Sequence, residues 1–234
     1  KRRADSVASQ RRVTQSLALP VNLPSQDGPL RGKPARKVVC IASSTGGPPT
    51  VQQFLRSLPV TLDAAVVIAQ HMPARFTTAF AQRLNRVVDL RVIEAMPDQP
   101  FVESVVYVIP GGYNFSLKVR GDKVMVGLER VETPPGGGVV LAPSADHLFT
   151  DIAKHFGRRA CGVVLTGMGN DGSAGAHALH ISGGKLYAES PKTAVMPGMP
   201  QSLVDTGLAA EVAPVERLHN PVLEFVKALA NVDS

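Results

Sequence analysis

Short apolar runs alternate along the chain with segments in which apolar residues recur every three or four positions. The first run, residues 38–41, has the length of a buried strand, and a segment with helical spacing follows it at residues 51–58. Further strand-like runs occupy residues 65–70, 90–93, 105–109, 161–165, 185–188 and 210–212. Strands that alternate with helices predict an α/β fold with a doubly wound, mostly parallel sheet and helices on both faces.

One pair of segments departs from this alternation. Residues 114–120 and 123–130 flank Gly121 and Asp122, a pair that is favoured in two-residue β-turns. We therefore predict that one antiparallel hairpin is inserted among the β/α units.

Capping residues and proline predict where several helices begin and end. Ser144 is a favoured N-cap and Gly157 a favoured stop, so a helix is expected between them. Asn220 followed by Pro221 predicts the start of a C-terminal helix, because proline fits the first helical turn. The second helix is expected to turn four apolar side chains toward the core: Phe76, Ala79, Phe80 and Leu84.

The net charge of +6 is concentrated at one end of the chain. Residues 1–37 hold nine basic and two acidic residues, a net charge of +7, whereas the rest sums to −1. Residues 1–36 also lack periodicity and are rich in Ser, Gln, Pro and Arg, so we interpret them as a disordered interdomain linker and residues 37–234 as one domain. Because this basic segment contains no aromatic residue, we expect no nucleic-acid partner.

No segment predicts insertion into a membrane or export from the cell. The apolar runs are far shorter than the roughly 18 residues that a membrane span needs, and no signal peptide is recognisable. Cys40 and Cys161 each lie in an apolar run, which predicts two buried, reduced thiols. We therefore expect a cytoplasmic protein.

Three residues with catalytic side chains follow predicted strands. Ser44 comes after the first strand, His71 after the second, and Asp171 after the strand at residues 161–165. Active sites of open α/β sheets gather at the carboxyl ends of the strands. A serine becomes nucleophilic when a histidine takes its proton and an acid orients that histidine. The pattern favours a serine hydrolase with these three residues as its triad.

Each of these residues also has a purely structural interpretation. Ser44 stands in a strand-to-helix turn, where Gly46 and Gly47 leave backbone N–H groups open to an oxyanion but hydroxyls also act as simple caps. A single histidine at a strand end is more often a satisfied polar residue. Asp171 lies in Asn-Asp-Gly, a common turn sequence. From these residue types alone, the triad is one hypothesis among others.

A glycine-rich segment offers a different hypothesis. Residues 167–172 read Gly-x-Gly-x-x-Gly between a predicted strand and a helix, and Glu189 lies at the distance expected of a ribose-binding acid. This pattern is typical of dinucleotide-binding proteins. It comes late in the chain, however, and Asp171 would stand where a pyrophosphate must approach.

Six blocks of sequence add a more specific signal. They are Ser43–Pro48, Gln70–Pro73 with Phe76 and Thr77, Pro110–Tyr113, Pro143–Ser144 with Asp146, Leu148 and Phe149, Leu165–Gly172, and Pro197–Pro200. Taken in this order, they resemble the catalytic domain of CheB, the chemotaxis protein-glutamate methylesterase family. The resemblance spans roughly residues 37 to 230.

The resemblance implies an activity and a triad. The activity would be hydrolysis of glutamyl γ-methyl esters on the cytoplasmic helices of chemoreceptors, together with deamidation of certain receptor glutamines. By motif position, Ser44 would be the nucleophile, His71 the general base and acid, and Asp171 the orienting carboxylate. The implied chemistry needs no metal and no cofactor. His177 and His180 share a helix face without a third ligand and are interpreted as surface residues.

The same resemblance suggests which groups surround the reacting ester. Candidates for holding the oxyanion or the substrate are Thr45, Gly46, Gly47, Met168, Gly169 and Met199. Met199 would line the cleft, although a methionine at such a position is more often a packing residue. Ser43 directly precedes the expected nucleophile, but the register of Thr-Gly-Gly favours Ser44.

The family also carries an N-terminal phosphoacceptor receiver domain that restrains the esterase until it is phosphorylated. The resemblance therefore implies such a domain upstream of the linker. Two departures from the family pattern are Asn114, where histidine is common, and Ala142, where arginine is common. They predict altered receptor recognition more than altered acyl chemistry. They also leave open a paralogue of another chemosensory pathway, or a non-catalytic regulatory module with the same fold.

Overall fold

The computed structural model describes residues 28–121, 123–132 and 141–228. The strands in these ranges are β1 (Val38–Ser43), β2 (Ala65–Gln70), β3 (Arg91–Glu94), β4 (Val105–Val108), β5 (Tyr113–Arg120), β6 (Lys123–Arg130), β7 (Ala160–Val164), β8 (Lys185–Glu189) and β9 (Glu211–Ala213). Seven of them form one sheet in the order β3-β4-β2-β1-β7-β8-β9, with every neighbouring pair parallel. Strands β5 and β6 form a separate antiparallel hairpin. The predicted fold class is confirmed.

Helices cover both faces of the sheet. They are α1 (Gly47–Arg56), α2 (Ala74–Val87), α3 (Ala145–Phe156), α4 (Ser173–Ile181), α5 (Gly198–Asp205) and α6 (Val215–Ala228). Helices α1, α2 and α6 contribute Phe54, Leu84 and Leu218 to the core on one face. Helices α3 and α4 contribute Phe149 and Leu179 to the core on the other face, which the hairpin and α5 complete.

The central strands are apolar on both faces because both faces are covered. In β1, Val39 and Ile41 enter one core while Val38 and Cys40 enter the other. Parallel strands in this position read as continuous apolar runs, and each fully buried Val or Ile side chain contributes about 1.5–3 kcal/mol of transfer free energy. This burial explains why the hydrophobic pattern located β1 and β2 so closely.

The buried face of α2 differs from the one predicted. Phe76 is 47% exposed and Ala79 is exposed, so their predicted inward orientation was wrong. Polar residues take their place: Thr77 donates a hydrogen bond to Glu94 at the end of β3, and Asn85 Oδ1 accepts the N–H of Val92 at 2.8 Å. A buried polar group is tolerated when it is hydrogen-bonded, and a count of apolar residues cannot detect that compensation.

The C-terminal helix begins earlier than predicted. Helix α6 starts at Val215, and Pro221 lies inside it rather than in its first turn. Val215 and Leu218 are buried on the same stripe as Val222, so tertiary packing extends the helix across the proline. Helix α5 was not predicted at all.

Contacts of the folded domain begin within the predicted linker. Pro34 forms an isolated antiparallel bridge with Val102, and the buried Ala35 donates its N–H to Phe101 O at 3.0 Å. Residues 1–27 lie outside the described residues, so the extent of the linker stays a prediction. No helix within the described ranges is long and apolar enough to cross a membrane.

The two cysteines are buried free thiols, as predicted. Cys40 and Cys161 lie on adjacent strands but in the cores on opposite faces of the sheet. Burial raises the pKa of both thiols above their ordinary value. Both groups therefore behave as small apolar side chains.

Candidate active site

The sheet order brings the three predicted residues to one edge. Strand β1 lies between β2 and β7, so Ser44, His71 and Asp171 follow three adjacent parallel strands. The register of β1 and β2 ends at the pair Ser43 and Gln70, and the His71 N–H then donates to Ser43 O at 2.9 Å. Ser44 and His71 therefore leave the sheet side by side.

His71 and Asp171 are in direct contact. His71 Nε2 lies 2.7 Å from Asp171 Oδ2, and the two side chains are only 6% and 14% exposed. A carboxylate can only accept a hydrogen bond, so Nε2 carries the hydrogen and Nδ1 of a neutral imidazole keeps its lone pair. This tautomer leaves Nδ1 as the basic nitrogen of the ring.

The N-terminus of α3 holds the Asp171 carboxylate. Oδ1 accepts the Asp146 N–H at 2.9 Å and the Ser144 hydroxyl at 3.0 Å, and Oδ2 accepts the Ala145 N–H at 2.7 Å. Burial alone would raise the pKa of this carboxyl, but the hydrogen bonds from His71 and from the Asp146 and Ala145 backbone lower it to about 2. A helix N-terminus stabilises an anion placed at its free N–H groups. The site therefore keeps Asp171 ionised beside His71.

Asp146 completes a reciprocal arrangement between α3 and α4. Its Oδ1 accepts the N–H groups of Gly172 and Gly175 at 2.9 and 2.7 Å, and so caps the N-terminus of α4. Burial, and secondarily the negative charge of Asp171, raises the pKa of the Asp146 carboxyl. Asp171, which precedes α4, thus caps α3, and Asp146, which lies in α3, caps α4. The capping role of Asp146 was not predicted, although Ser144 and Asp146 belong to one of the motif blocks.

The backbone of Ser44 is fixed on three sides. Its N–H donates to Thr166 O at 3.0 Å, and its carbonyl accepts the Gly47 N–H at 2.9 Å and Gln70 Nε2 at 2.8 Å. Among the residues that the structure describes, the Ser44 hydroxyl makes no hydrogen bond. Ser43 is fully buried and its hydroxyl donates to Gln70 Oε1 at 2.7 Å, so of the two serines only Ser44 is accessible.

The loops that carry Ser44 and Asp171 both contain free backbone donors. Within the described ranges, the N–H groups of Thr45, Gly46, Met168 and Gly169 donate no hydrogen bond, and the Met168 side chain is 63% exposed. Gly46 adopts the left-handed conformation, with φ of 80°, ahead of α1. Gly47 differs from the other candidates because its N–H is engaged by Ser44 O.

Met199 does not line a cleft. Its side chain is fully buried in the core, and a Cβ added at Gly167 would lie 2.2 Å from its sulfur atom. Of the two roles considered for Met199, its side chain takes the packing role and not the cleft-lining one. Its thioether packs beneath the turn that carries Gly167, and an added Cβ there would also lie 2.9 Å from Ser44 Cβ.

The glycine-rich turn and its expected acid serve the fold. Gly169 and Gly172 have φ values of 89° and 104°, a conformation that favours glycine. Glu189 is buried and accepts the Thr166 N–H at 2.7 Å through Oε2. Its carboxylate is engaged, which argues against dinucleotide binding. In the described part of the chain, no group of three His, Cys, Asp or Glu residues is arranged to hold a metal ion.

One of the two positions that depart from the family pattern contacts a residue that holds Asp171. Asn114 Oδ1 accepts the Ser144 N–H at 2.9 Å and so supports the N-cap of α3. Ala142 O accepts the Gly112 N–H at 3.1 Å. His177 and His180 are exposed on α4, as predicted.

Known proteins are similar to this chain in sequence and in fold. A family model described as CheB methylesterase matches residues 39–222. The chain is 40% identical over 197 residues to protein-glutamate methylesterase/protein-glutamine glutaminase 3 of Geobacter sulfurreducens, covering 84% of this chain and 52% of the relative. It is 42% identical over 195 residues to the enzyme numbered 6 in Anaeromyxobacter dehalogenans, covering 83% of this chain and 55% of that relative. The chain thus spans about half the length of these curated relatives.

A solved structure extends the match to three dimensions. The crystal structure of the Thermotoga maritima CheB methylesterase catalytic domain superposes with a TM-score of 0.75 at 33% identity, covering 83% of this chain and 99% of that domain. The family model, the relatives and this structure agree with the motif blocks. The chain belongs to the CheB methylesterase family.

Proposed function

We propose that this chain is a serine hydrolase that removes methyl groups from glutamyl γ-methyl esters of chemoreceptors and deamidates receptor glutamines. The observation that carries the proposal is the 2.7 Å contact between His71 Nε2 and Asp171 Oδ2 beside the accessible Ser44. The names of the relatives supply the substrate class, protein-glutamate methyl esters and protein glutamines.

The proposed acylation step uses the free nitrogen of His71. Ser44 Oγ attacks the ester carbonyl carbon and its proton passes to His71 Nδ1, while the Asp171 carboxylate stabilises the imidazolium through Nε2. The tetrahedral oxyanion is held by the free N–H groups of Thr45, Gly46, Met168 or Gly169. Collapse of the intermediate breaks the bond to the methoxy oxygen, which takes the proton from Nδ1 and leaves as methanol.

Hydrolysis of the acyl-enzyme completes the cycle. A water molecule gives a proton to His71 Nδ1 and attacks the same carbonyl carbon. The bond to Ser44 Oγ then breaks, Ser44 regains the proton and glutamate is released. With glutamine as substrate, the first step releases ammonia instead of methanol. Every proton transfer uses one imidazole nitrogen, so the cycle needs no further acid or base.

Recognition of the receptor and regulation belong to the same proposal. The partner is a methylated receptor helix whose ester side chain reaches Ser44 from the open carboxyl edge of the sheet. Hydrogen bonding by Asn114 to the N-cap of α3 supports retention of the triad geometry despite the departure from the family pattern. Restraint by an upstream receiver domain and a cytoplasmic location stay predictions.

The first experiment is labelling with a fluorophosphonate, which reacts with activated serines. We expect the adduct on the peptide that contains Ser44, loss of labelling in Ser44→Ala, and unchanged labelling in Ser57→Ala, whose serine lies at the end of α1. Methanol release from methylated receptor membranes should follow the same order. Absence of both signals in well-folded protein would contradict the proposal and favour the non-catalytic regulatory module.

A further inference from the structure

Gln70 makes contacts that no catalytic role accounts for. It is the last residue of β2 and its side chain is buried. Its Nε2 donates to Ser44 O at 2.8 Å and to His71 O at 3.1 Å, and its Oε1 accepts the Ser43 hydroxyl at 2.7 Å. One side chain thus connects the loop that carries Ser44 to the loop that carries His71.

The orientation of the Gln70 amide follows from its partners. Carbonyl oxygens can only accept, so the NH₂ group must face Ser44 O and His71 O, and both of its hydrogens are used. The amide oxygen then faces Ser43, whose hydroxyl can rotate to donate. All the polar atoms of this buried side chain are therefore satisfied, a condition in which polar networks hold a unique geometry.

These contacts continue the connection between the two loops beyond the paired strands. The register of β1 and β2 ends at Ser43 and Gln70, and one further backbone hydrogen bond joins the His71 N–H to Ser43 O. The Gln70 side chain extends the connection by bonding both of the next carbonyl groups.

Gly47 shows how closely the surroundings fit this side chain. A Cβ added at Gly47 would lie 2.1 Å from Gln70 Oε1 and 2.9 Å from Ser43 Oγ. Real Cβ atoms do not approach so closely, so the first residue of α1 must lack a side chain for Gln70 to keep its position. The N–H of the same glycine donates to Ser44 O, the carbonyl that also accepts from Gln70.

We propose that Gln70 is a positioning residue that holds the backbones of Ser44 and His71 at the separation needed for proton transfer. This inference rests on the proposed function of Ser44 and His71. Gln70 does not touch the reacting atoms and acts through the two carbonyl groups. Misplacement of catalytic groups by about 1 Å costs on the order of 10²-fold in rate, which sets the size of the expected effect.

Two substitutions of similar volume test the proposal. In Gln70→Met, all three hydrogen bonds are lost, and we expect fluorophosphonate labelling of Ser44 to slow by about 10²-fold. With methylated receptor, kcat should fall while KM is unchanged, because the bond network does not contact substrate. In Gln70→Glu, an ionised carboxylate would face two carbonyl oxygens, whereas a protonated one can donate to one of them. The labelling rate of this variant relative to wild type should therefore recover partly as the pH is lowered.

Controls separate positioning from stability and from the proposed function itself. Leu218→Ala removes a buried side chain from α6 on the sheet face away from α3 and should lower Tm without slowing Ser44 labelling well below that Tm. Wild-type labelling rates in Gln70→Met, or equal slowing in Leu218→Ala, would overturn the positioning role. If wild-type protein itself is not labelled at Ser44, the proposed function fails and the role of Gln70 falls with it.

Discussion

Replacing Asp171 with asparagine tests the proposed triad most directly. The carboxylate accepts four hydrogen bonds, two on each oxygen, from His71, Ser144, Ala145 and Asp146. An asparagine side chain keeps one oxygen and turns the other into an NH₂ group that faces donors. In one orientation the Ala145 N–H loses its acceptor, and in the other the Asp146 N–H does.

The first of these orientations also changes the tautomer of His71. An NH₂ group opposite Nε2 requires that nitrogen to accept, so the ring hydrogen moves to Nδ1 and the base is lost. We therefore expect Asp171→Asn to slow labelling and methanol release by about 10⁴-fold, the loss found when the wrong tautomer is imposed on a triad histidine.

The same substitution should destabilise the fold. The pKa of Asp171 is lowered from 3.8 to about 2, which corresponds to roughly 2 kcal/mol of stability for the ionised form. For a domain of this size, that loss lowers Tm by about 4–8 °C. Asp89→Asn, at an exposed position between α2 and β3, is the matched control and should change neither rate nor Tm.

Labelling is measured well below the Tm of the variant, so that unfolding does not contribute to the rate. Labelling of Asp171→Asn within tenfold of the wild-type rate would refute the assignment of Asp171 as the group that orients His71.

Three further predictions concern the Asp171 carboxylate, the Gln70 amide and the Asp146 cap. The depressed pKa of Asp171 contributes stability that is present above pH 3.8 and lost as the pH falls toward 2. The urea midpoint of unfolding should therefore drop more steeply with falling pH in wild type than in Asp171→Asn. An equal pH dependence of the midpoint in the two proteins would contradict the lowered pKa of Asp171. Gly47→Ala should destabilise the fold by about 1–3 kcal/mol, because the added Cβ would overlap the hydrogen-bonded Gln70 amide. Denaturant unfolding measures this loss. An unchanged unfolding midpoint would show that Gln70 can move aside, against its fixed position. Asp146→Ala should slow Ser44 labelling, because the cap of α4 at Gly172 and Gly175 is lost, whereas Asp146→Asn keeps an acceptor oxygen and should recover much of the rate. Equal rates in the two variants would count against the cap.

The hydrophobic pattern of the chain predicted the strands of the sheet more accurately than the helices that cover it. β1 and β2 were located because both faces of the sheet are covered, so that every position in them is buried. The start of α6 and the inward face of α2 were missed. Pro221 usually marks a helix boundary and Thr77 usually marks a solvent-facing position. In the folded protein, tertiary contacts accommodate Pro221 inside α6 and Thr77 on the buried face of α2.

The candidate site divides in the same way. Ser44, His71 and Asp171 were selected because each follows a strand and because short motifs of the family contain them. Gln70 and Asp146 lie in those motifs too, but their tasks depend on partners 26 and 29 residues away, Ser44 and Gly175. A motif of a few residues cannot show which distant residue its side chains will contact.

The sequence by itself therefore determined the alternation of strands and helices, the family and the chemical types available at the strand ends. These follow from local hydrophobic periodicity and from motifs only a few residues long. The tertiary structure decided that β1 lies between β2 and β7, that the N-terminus of α3 holds Asp171, and that Met199 is buried while Ser44 is accessible. Those outcomes depend on packing between segments distant in the chain, where the energy of a contact belongs to the pair and not to either residue alone.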